Sequence, residues 1–366
     1  MSAPGIGTTS TPKRRVPLWD NVRWVAITLM VAGHAILRLI QESDVAYEVY
    51  LFIYAFHVPL FVAVSGYFAK TGPPGLRQMQ RLLSDIVFPY LIFETIWTVI
   101  RWLLGGSFWL DYSTASWTLW FLIALAIWRI TLPYLVLLRY PLVISIVISV
   151  GVGYVSAIGG AFALSRVLGL LPFFLFGWKL RQWQLTTRWL GLHPAAVWRW
   201  RAGAVSLFAS LALVIVLNID ALRALKIRRF LLYNEAYSVF GYDQLWAGGI
   251  RLGLMLLAFA LIVAFLLLMP RRQTWFTTLG AATMYIYLLH TFLLYPLRET
   301  GVLDGPQPPW VLPAMIMLSV MISTALSLPF ARRVFRPVIE PRAKWLFRAL
   351  PSTQSGRIVL PPGELR

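Results

Sequence analysis

Two residues near the start of the chain have the types and spacing to do chemistry. Arg23 and His34 lie in the apolar run Trp19-Asp-Asn-Val-Arg23-Trp-Val-Ala-Ile-Thr-Leu-Met-Val-Ala-Gly33-His34-Ala-Ile-Leu37. Eleven residues of helix turn through about 1100°, which leaves the two side chains within roughly 20° of one another, and rise about 16 Å. That rise is about half of a hydrocarbon core roughly 30 Å thick. The spacing predicts an arginine at one membrane face and a histidine near mid-depth on the same side of one helix. An ionisable side chain in such a run is costly to keep there and marks function. Imidazole exchanges its proton near neutral pH, so the chemistry this predicts is general base catalysis.

Other polar residues fall at similar depth. Counting from the ends of their apolar runs, His57 lies about 12 Å and Glu94 about 15 Å deep, so His34, His57 and Glu94 can share a central layer. A carboxylate or second imidazole there would orient His34; a bond to a neighbouring helix would equally account for either residue. His290, in Tyr285-Ile-Tyr-Leu-Leu-His290, reads nearer the opposite face, with packing and function both open. His193, beside Pro194 in a basic loop, reads as ordinary. Asp20 suits a helix N-cap and can also pair with Arg23 one turn on. The loop from Lys70 through Arg77 to Arg81 falls on the same face as Arg23. Together they make a cationic mouth for a phosphate-bearing molecule, unless they simply mark the basic side of a membrane protein.

The elements that must position these residues are membrane helices. Hydrophobic residues make up 59% of the 366 residues, charged residues 13%, and mean hydropathy is +0.70. A soluble chain of that length needs more polar surface. Apolar runs recur at roughly 21–40, 49–69, 84–104, 116–131, 141–158, 166–180, 202–219, 245–269, 274–296 and 310–331. They are too long and too uniformly apolar for barrel strands. The fold class predicted is all-α: a polytopic membrane protein of about ten transmembrane helices. Lys and Arg collect on one set of loops, placing both termini in the cytoplasm. The net charge of +19 therefore reflects topology rather than nucleic-acid binding. The predicted layout is a disordered cytoplasmic tail over 1–18, a transmembrane domain over 19–335, and a basic cytoplasmic tail over 336–366. The outer loop 220–244 breaks the charge rule with Arg223, Lys226, Arg228 and Arg229, followed by three tyrosines. It suits either ligand contact or an interfacial amphipathic segment. With no cysteine in the chain, disulfides, Cys-ligated metals and cysteine thioester intermediates are excluded.

Several motifs, taken in order, resemble the acyltransferase-3 family of membrane O-acyltransferases, particularly its fucose 4-O-acetylase-like branch. They are Asp20-Asn-x-Arg23 and, ten residues on, Gly33-His34; then Tyr54-Ala-Phe-His57-Val-Pro-Leu-Phe-Val-Ala-Val-Ser65-Gly66-Tyr67-Phe68; then Arg77 and Arg81 before Pro89-Tyr90. Leu119-Trp120-Phe121-Leu122, Leu171-Pro-Phe-Phe174…Gly177 and Leu279-Gly280…Tyr287-Leu-Leu-His290 follow. Ser84-Asp85 follows Arg81 where the family has further basic residues.

The resemblance implies transfer of an acetyl or other short acyl group from cytoplasmic acyl-CoA to a hydroxyl. The acceptor would be an extracytoplasmic or lipid-linked carbohydrate, the site the cell membrane, and no metal is implied. His34 matches the family's catalytic histidine and Arg23 its partner arginine. The roles expected are His34 as base, Glu94 or His57 as its orienter, and Arg23, Arg77, Arg81 and Lys70 at the CoA phosphates. Arg166, Trp117, Trp120 and His290 are expected toward the sugar, the tryptophans serving equally well as an interfacial aromatic belt. The competing class is a transporter or flippase of a glycolipid or lipid-linked sugar, which composition alone fits as well.

Overall fold

The computed structural model describes residues 16–72, 74–341 and 346–347. Most of both predicted tails lies outside the described residues. The fold is all-helical, and no strand occurs among the described residues. The first half runs α1 (Pro17–Ala35), α2 (Asp44–Tyr54), α3 (His57–Tyr67), α4 (Leu76–Leu82), α5 (Phe88–Leu103), α6 (Trp120–Leu135), α7 (Pro141–Val152) and α8 (Leu164–Gln182). The second half runs α9 (Leu185–Leu190), α10 (Pro194–Leu217), α11 (Ile219–Ala224), α12 (Ile227–Leu232), α13 (Trp246–Leu268), α14 (Thr283–Glu299), α15 (Val311–Ser327) and α16 (Pro329–Ile339).

Six helical stretches are long and apolar enough to cross a membrane: 44–67, 76–103, 161–182, 194–217, 246–268 and 277–299. The bent pair α15 and α16, meeting at 73°, makes a seventh if counted as one span. α6 and α7 are apolar but shorter, and α1, with Asp20 and Arg23 in its first two turns, is not among the six. The chain is a multi-helix membrane protein. α10 leaves Val205, Leu213, Val214, Val216 and Leu217 exposed, an apolar surface that lipid would cover.

Prolines interrupt the spans where the site needs it. Pro59 has no N–H for the carbonyl of Ala55 and its ring crowds that carbonyl, so the 44–67 span breaks at Ala55–Phe56. His57 consequently opens α3, and its Nδ1 bonds the Ile53 carbonyl at 2.9 Å. Pro89 acts similarly on Asp85, which sits in the π-helical segment Leu83–Val87 leading into α5.

The tightest helix contact joins α3 to α8. A Cβ on Gly66 would lie 1.9 Å from the Phe174 carbonyl oxygen, and one on Gly177 would lie 1.8 Å from that of Ala63. Hydrogen alone fits at both, as in membrane helices whose backbones approach through small residues. Gly177→Ala is expected to lower the melting midpoint of the detergent-solubilised protein by several degrees, since overpacking costs about 1–3 kcal/mol. Gly203→Ala, on α10 with nothing within 4 Å, leaves it unchanged. Equal midpoints would show that α3 and α8 do not depend on this contact.

Candidate functional site

His34 sits in the last turn of α1 and meets a second histidine. Its Nδ1 lies 3.0 Å from Nε2 of His290 on α14, the rings nearly parallel at 15°. Nδ1 of His290 lies 2.9 Å from the carbonyl of Ile286, one turn earlier. A carbonyl only accepts, so Nδ1 of His290 carries the hydrogen and, in the neutral ring, Nε2 carries a lone pair. His34 Nδ1–H must then donate to that lone pair, which leaves Nε2 of His34 as the unprotonated nitrogen. That Nε2 has no hydrogen-bond partner among the described residues. The arrangement is a histidine held in the tautomer of a base by a backbone carbonyl acting through a second histidine.

His34 borders two hollows. A cavity of about 250 Å³ is lined by His34, Arg38, Tyr50, Tyr54, Trp117, Trp120, Arg166, Arg228, Thr291 and Arg298, together with aliphatic side chains. A smaller one, about 40 Å³, is shared by His34, His57, Phe61, Thr118, Trp120 and Tyr287. His34 and His57 therefore face one space, and His57 Nε2 is buried there without a hydrogen-bond partner. Gly33 makes room for the cavity wall, because a Cβ on it would lie 2.8 Å from Cε2 of Tyr54.

Trp117, Trp120 and Arg166 come together in the wall of the larger cavity. The Arg166 guanidinium lies 4.7 Å from the Trp120 ring and that of Arg298 lies 4.0 Å from Trp117. Glu94 goes elsewhere. Fully buried on α5, it accepts from the amide of Ser116 at 2.8 Å and from the Ser116 hydroxyl, and pairs with Arg101 at 3.6 Å. Arg101 also donates to Ser116 Oγ at 2.7 Å. This cluster pins the segment before α6, in which Trp117 takes a left-handed backbone (φ 53°), a conformation costly for a bulky residue. The Tyr287 hydroxyl donates to the Thr118 carbonyl at 2.5 Å and fixes the next residue. Farther along the same loop, outside the helices, the amide and hydroxyl of Ser113 hold the Asp111 carboxyl below its ordinary pKa. Glu94 thus shapes the tryptophan wall, while the ring that meets His34 is His290, which the sequence placed among the substrate contacts. Depth along a helix follows from residue counting; the direction a side chain faces does not.

At the other end of α1, Asn21 locks the helix to the 270–277 loop. Its Nδ2 donates to the carbonyls of Pro270 and Arg272, both at 3.0 Å. Its Oδ1 accepts from Thr274 at 3.0 Å and Thr277 at 2.6 Å. Beside it a hollow of about 610 Å³ is lined by Asp20, Arg271, Arg272, Gln273, Thr277 and Thr278 among others. Arg23 pairs with Asp20 at 3.3 Å and lies 4.3 Å from the Phe68 ring, two residues before Lys70. Lys70, Arg77 and Arg81 are exposed and line neither this hollow nor the two at His34. The site residues that the sequence did not single out include Asn21, Arg38, Arg298 and the pair Arg271 and Arg272. Arg38 follows His34 by four residues and Arg298 follows His290 by eight, a helical signal that was there to be read. Among the described residues no group of three or more His, Asp or Glu could hold a metal ion.

The chain is a helical membrane body with a histidine pair beside a cavity walled by tryptophans, arginines and aliphatic side chains. The model of the acyltransferase-3 family, described as an acyltransferase domain, matches residues 17–328, and the chain belongs to that family. The nodulation protein NolL of Mesorhizobium japonicum is similar, 36% identical over 93 residues, which is 22% of this chain and 24% of that protein. The chain thus matches about a quarter of the length of that relative. No solved structure matches the chain.

Glu94→Ala removes the acceptor of two Ser116 hydrogen bonds and the partner of Arg101. With Arg101 half-exposed, the expected cost is about 3 kcal/mol, the low end for breaking a buried pair. Limited proteolysis should then cut the segment 104–118 much faster than in the wild type. Unchanged cleavage would mean that Glu94 does not hold this wall.

Proposed function

We propose that this protein transfers an acetyl or other short acyl group from cytoplasmic acyl-CoA to a hydroxyl of an extracytoplasmic or lipid-linked carbohydrate, with His34 as general base. The observation carrying this reading is the His34–His290–Ile286 chain, which leaves one unpartnered imidazole nitrogen beside a cavity walled by tryptophans and arginines. His34 Nε2 takes the hydroxyl proton as the acceptor oxygen bonds to the thioester carbonyl carbon. The carbon–sulfur bond then breaks, and the CoA thiolate leaves with the proton returned by His34. His290 positions the ring and spreads the transient positive charge toward the Ile286 carbonyl. The unpartnered Nε2 of His57 is the second nitrogen available in that space.

The donor enters, in this reading, from the Arg23 end, where the hollow carrying Asp20, Arg271 and Arg272 lies about 21 Å along α1 from His34. Arg23, Arg271 and Arg272 suit the CoA phosphates, with the exposed Lys70, Arg77 and Arg81 guiding approach. That end faces the cytoplasm together with both termini, α1 serving as a membrane element beside the six candidate spans. The aromatic and basic cavity at His34 opens toward the other side of a cell membrane. The family membership supports an acyl donor and an acceptor; the carbohydrate acceptor is supported by the Trp117 and Trp120 faces, which suit sugar rings.

The test is transfer of labelled acetyl from acetyl-CoA to cell-envelope extract by the purified protein in lipid nanodiscs. His34→Ala is expected to lose about 10²–10⁴-fold in turnover while still binding acetyl-CoA. Undiminished turnover would end the role of His34. His290→Ala is expected to lower kcat by up to about 10⁴-fold, as loss of the correct tautomer does elsewhere, with the KM for acetyl-CoA unchanged. A KM effect alone would assign His290 to binding instead.

A further inference from the structure

The wall of the His34 cavity carries four arginines from four separate segments: Arg38 after α1, Arg166 on α8, Arg228 on α12 and Arg298 on α14. No aspartate or glutamate lines it. Arg166 makes no hydrogen bond or ion pair among the described residues and only stacks on Trp120. The one hydrogen bond of Arg228 among the described residues is to the Tyr50 hydroxyl, at 3.5 Å. Nε of Arg38 is buried without an acceptor. The carboxylates near this group are Asp304, 3.7 Å from Arg38, Glu299, 3.8 Å from Arg298, and Glu235, which is paired with Arg229 at 2.6 Å and acts on Arg166 only through its charge; none of the three lines the cavity.

Four like charges around about 250 Å³ repel one another, and the protein supplies no compensating charge inside. Topology does not explain them. In the proposed orientation they lie on the side that the Lys and Arg distribution otherwise avoids, and Arg228 belongs to the outer loop that breaks that rule. Guanidinium is the group suited to bidentate contact with carboxylate or phosphate oxygens.

We infer that the acceptor is anionic: it carries a carboxylate or a phosphate on the sugar being acylated, or bonded directly to it, close to the hydroxyl presented to His34. The inference rests on the acyl-transfer reading above. The arginines hold the oxyanion, Trp117 and Trp120 the ring, and the hydroxyl is left facing His34. Neutral glycans of the same shape leave the four cations uncompensated and bind weakly.

The experiment identifies what the purified protein labels. Envelope extract is incubated with labelled acetyl-CoA, the labelled product is passed over an anion exchanger, and tandem mass spectrometry locates the charged group relative to the acetylated sugar. A retained product with the charge on or next to that sugar is expected. Carbodiimide-dependent reduction abolishes retention for a carboxylate, whereas partition into organic solvent with release by mild acid marks a lipid-linked phosphate. Arg166→Gln and Arg228→Gln should each raise the KM for extracted acceptor about 10- to 100-fold, with the KM for acetyl-CoA unchanged. A labelled but neutral sugar overturns the inference, as does either variant acting on acetyl-CoA in place of the acceptor, while the acyl-transfer reading stands. No label on any material, with acetyl-CoA still bound, sinks the acyl-transfer reading itself.

Discussion

The hydrogen bond between His34 and His290 is the contact on which the site depends. It joins the first helix of the chain to the fourteenth, and its direction is dictated by a carbonyl that only accepts. Everything that fixes the two rings therefore fixes the protonation of His34. Asn21 ties the start of α1 to the loop before α14, so both helices carrying the pair are registered at their far end by four hydrogen bonds to one buried side chain. The same i−4 carbonyl device serves His57, whose Nδ1 is held by Ile53 at the proline-induced break. Two rings are thus locked by local backbone, and the third is locked by one of them.

The cavity wall is set by a different kind of constraint. Trp117 sits in a backbone conformation it would not choose, and the buried Glu94 with Ser116 and the half-exposed Arg101 compensates for it. Tyr287, three residues before His290, fastens the following residue of the same wall. The pair and the wall are in this way coupled through α14. The Arg23 end has its own hollow with arginines in its wall, so α1 runs between two arginine-bearing hollows, as the proposed path of an acyl group from donor to acceptor requires.

The helical membrane class and the Arg23–His34 spacing were legible in the sequence because each follows from composition or from counting along one helix; Trp117, Trp120 and Arg166 were named, but that they share a wall with Arg38 and Arg298 was not. The partner of His34 was not. Glu94 and His57 have the depth to meet it, but α5 turns Glu94 toward the Ser116 loop and the Pro59 break turns His57 toward Ile53. Rotation about a helix axis is decided by packing, here by contacts such as Gly66 and Gly177 of α3 and α8. The ten spans counted from hydropathy exceed the stretches that are long and apolar enough on their own. Polar residues in α1 and the shortness of α6 and α7 leave six stretches, or seven with the bent pair, that meet the length and apolarity of a span.

The central claim is that His34 stands ready as the unprotonated-Nε2 tautomer because His290 accepts its Nδ1 hydrogen. The chain has four histidines, so ¹⁵N-histidine labelling with single His→Asn variants assigns every ring in a solid-state NMR spectrum of the protein in lipid. The account predicts that Nδ1 of His34 carries the hydrogen and Nε2 does not, and that removing His290 erases this preference. A resting His34 protonated at Nε2, or one indifferent to the loss of His290, would contradict it.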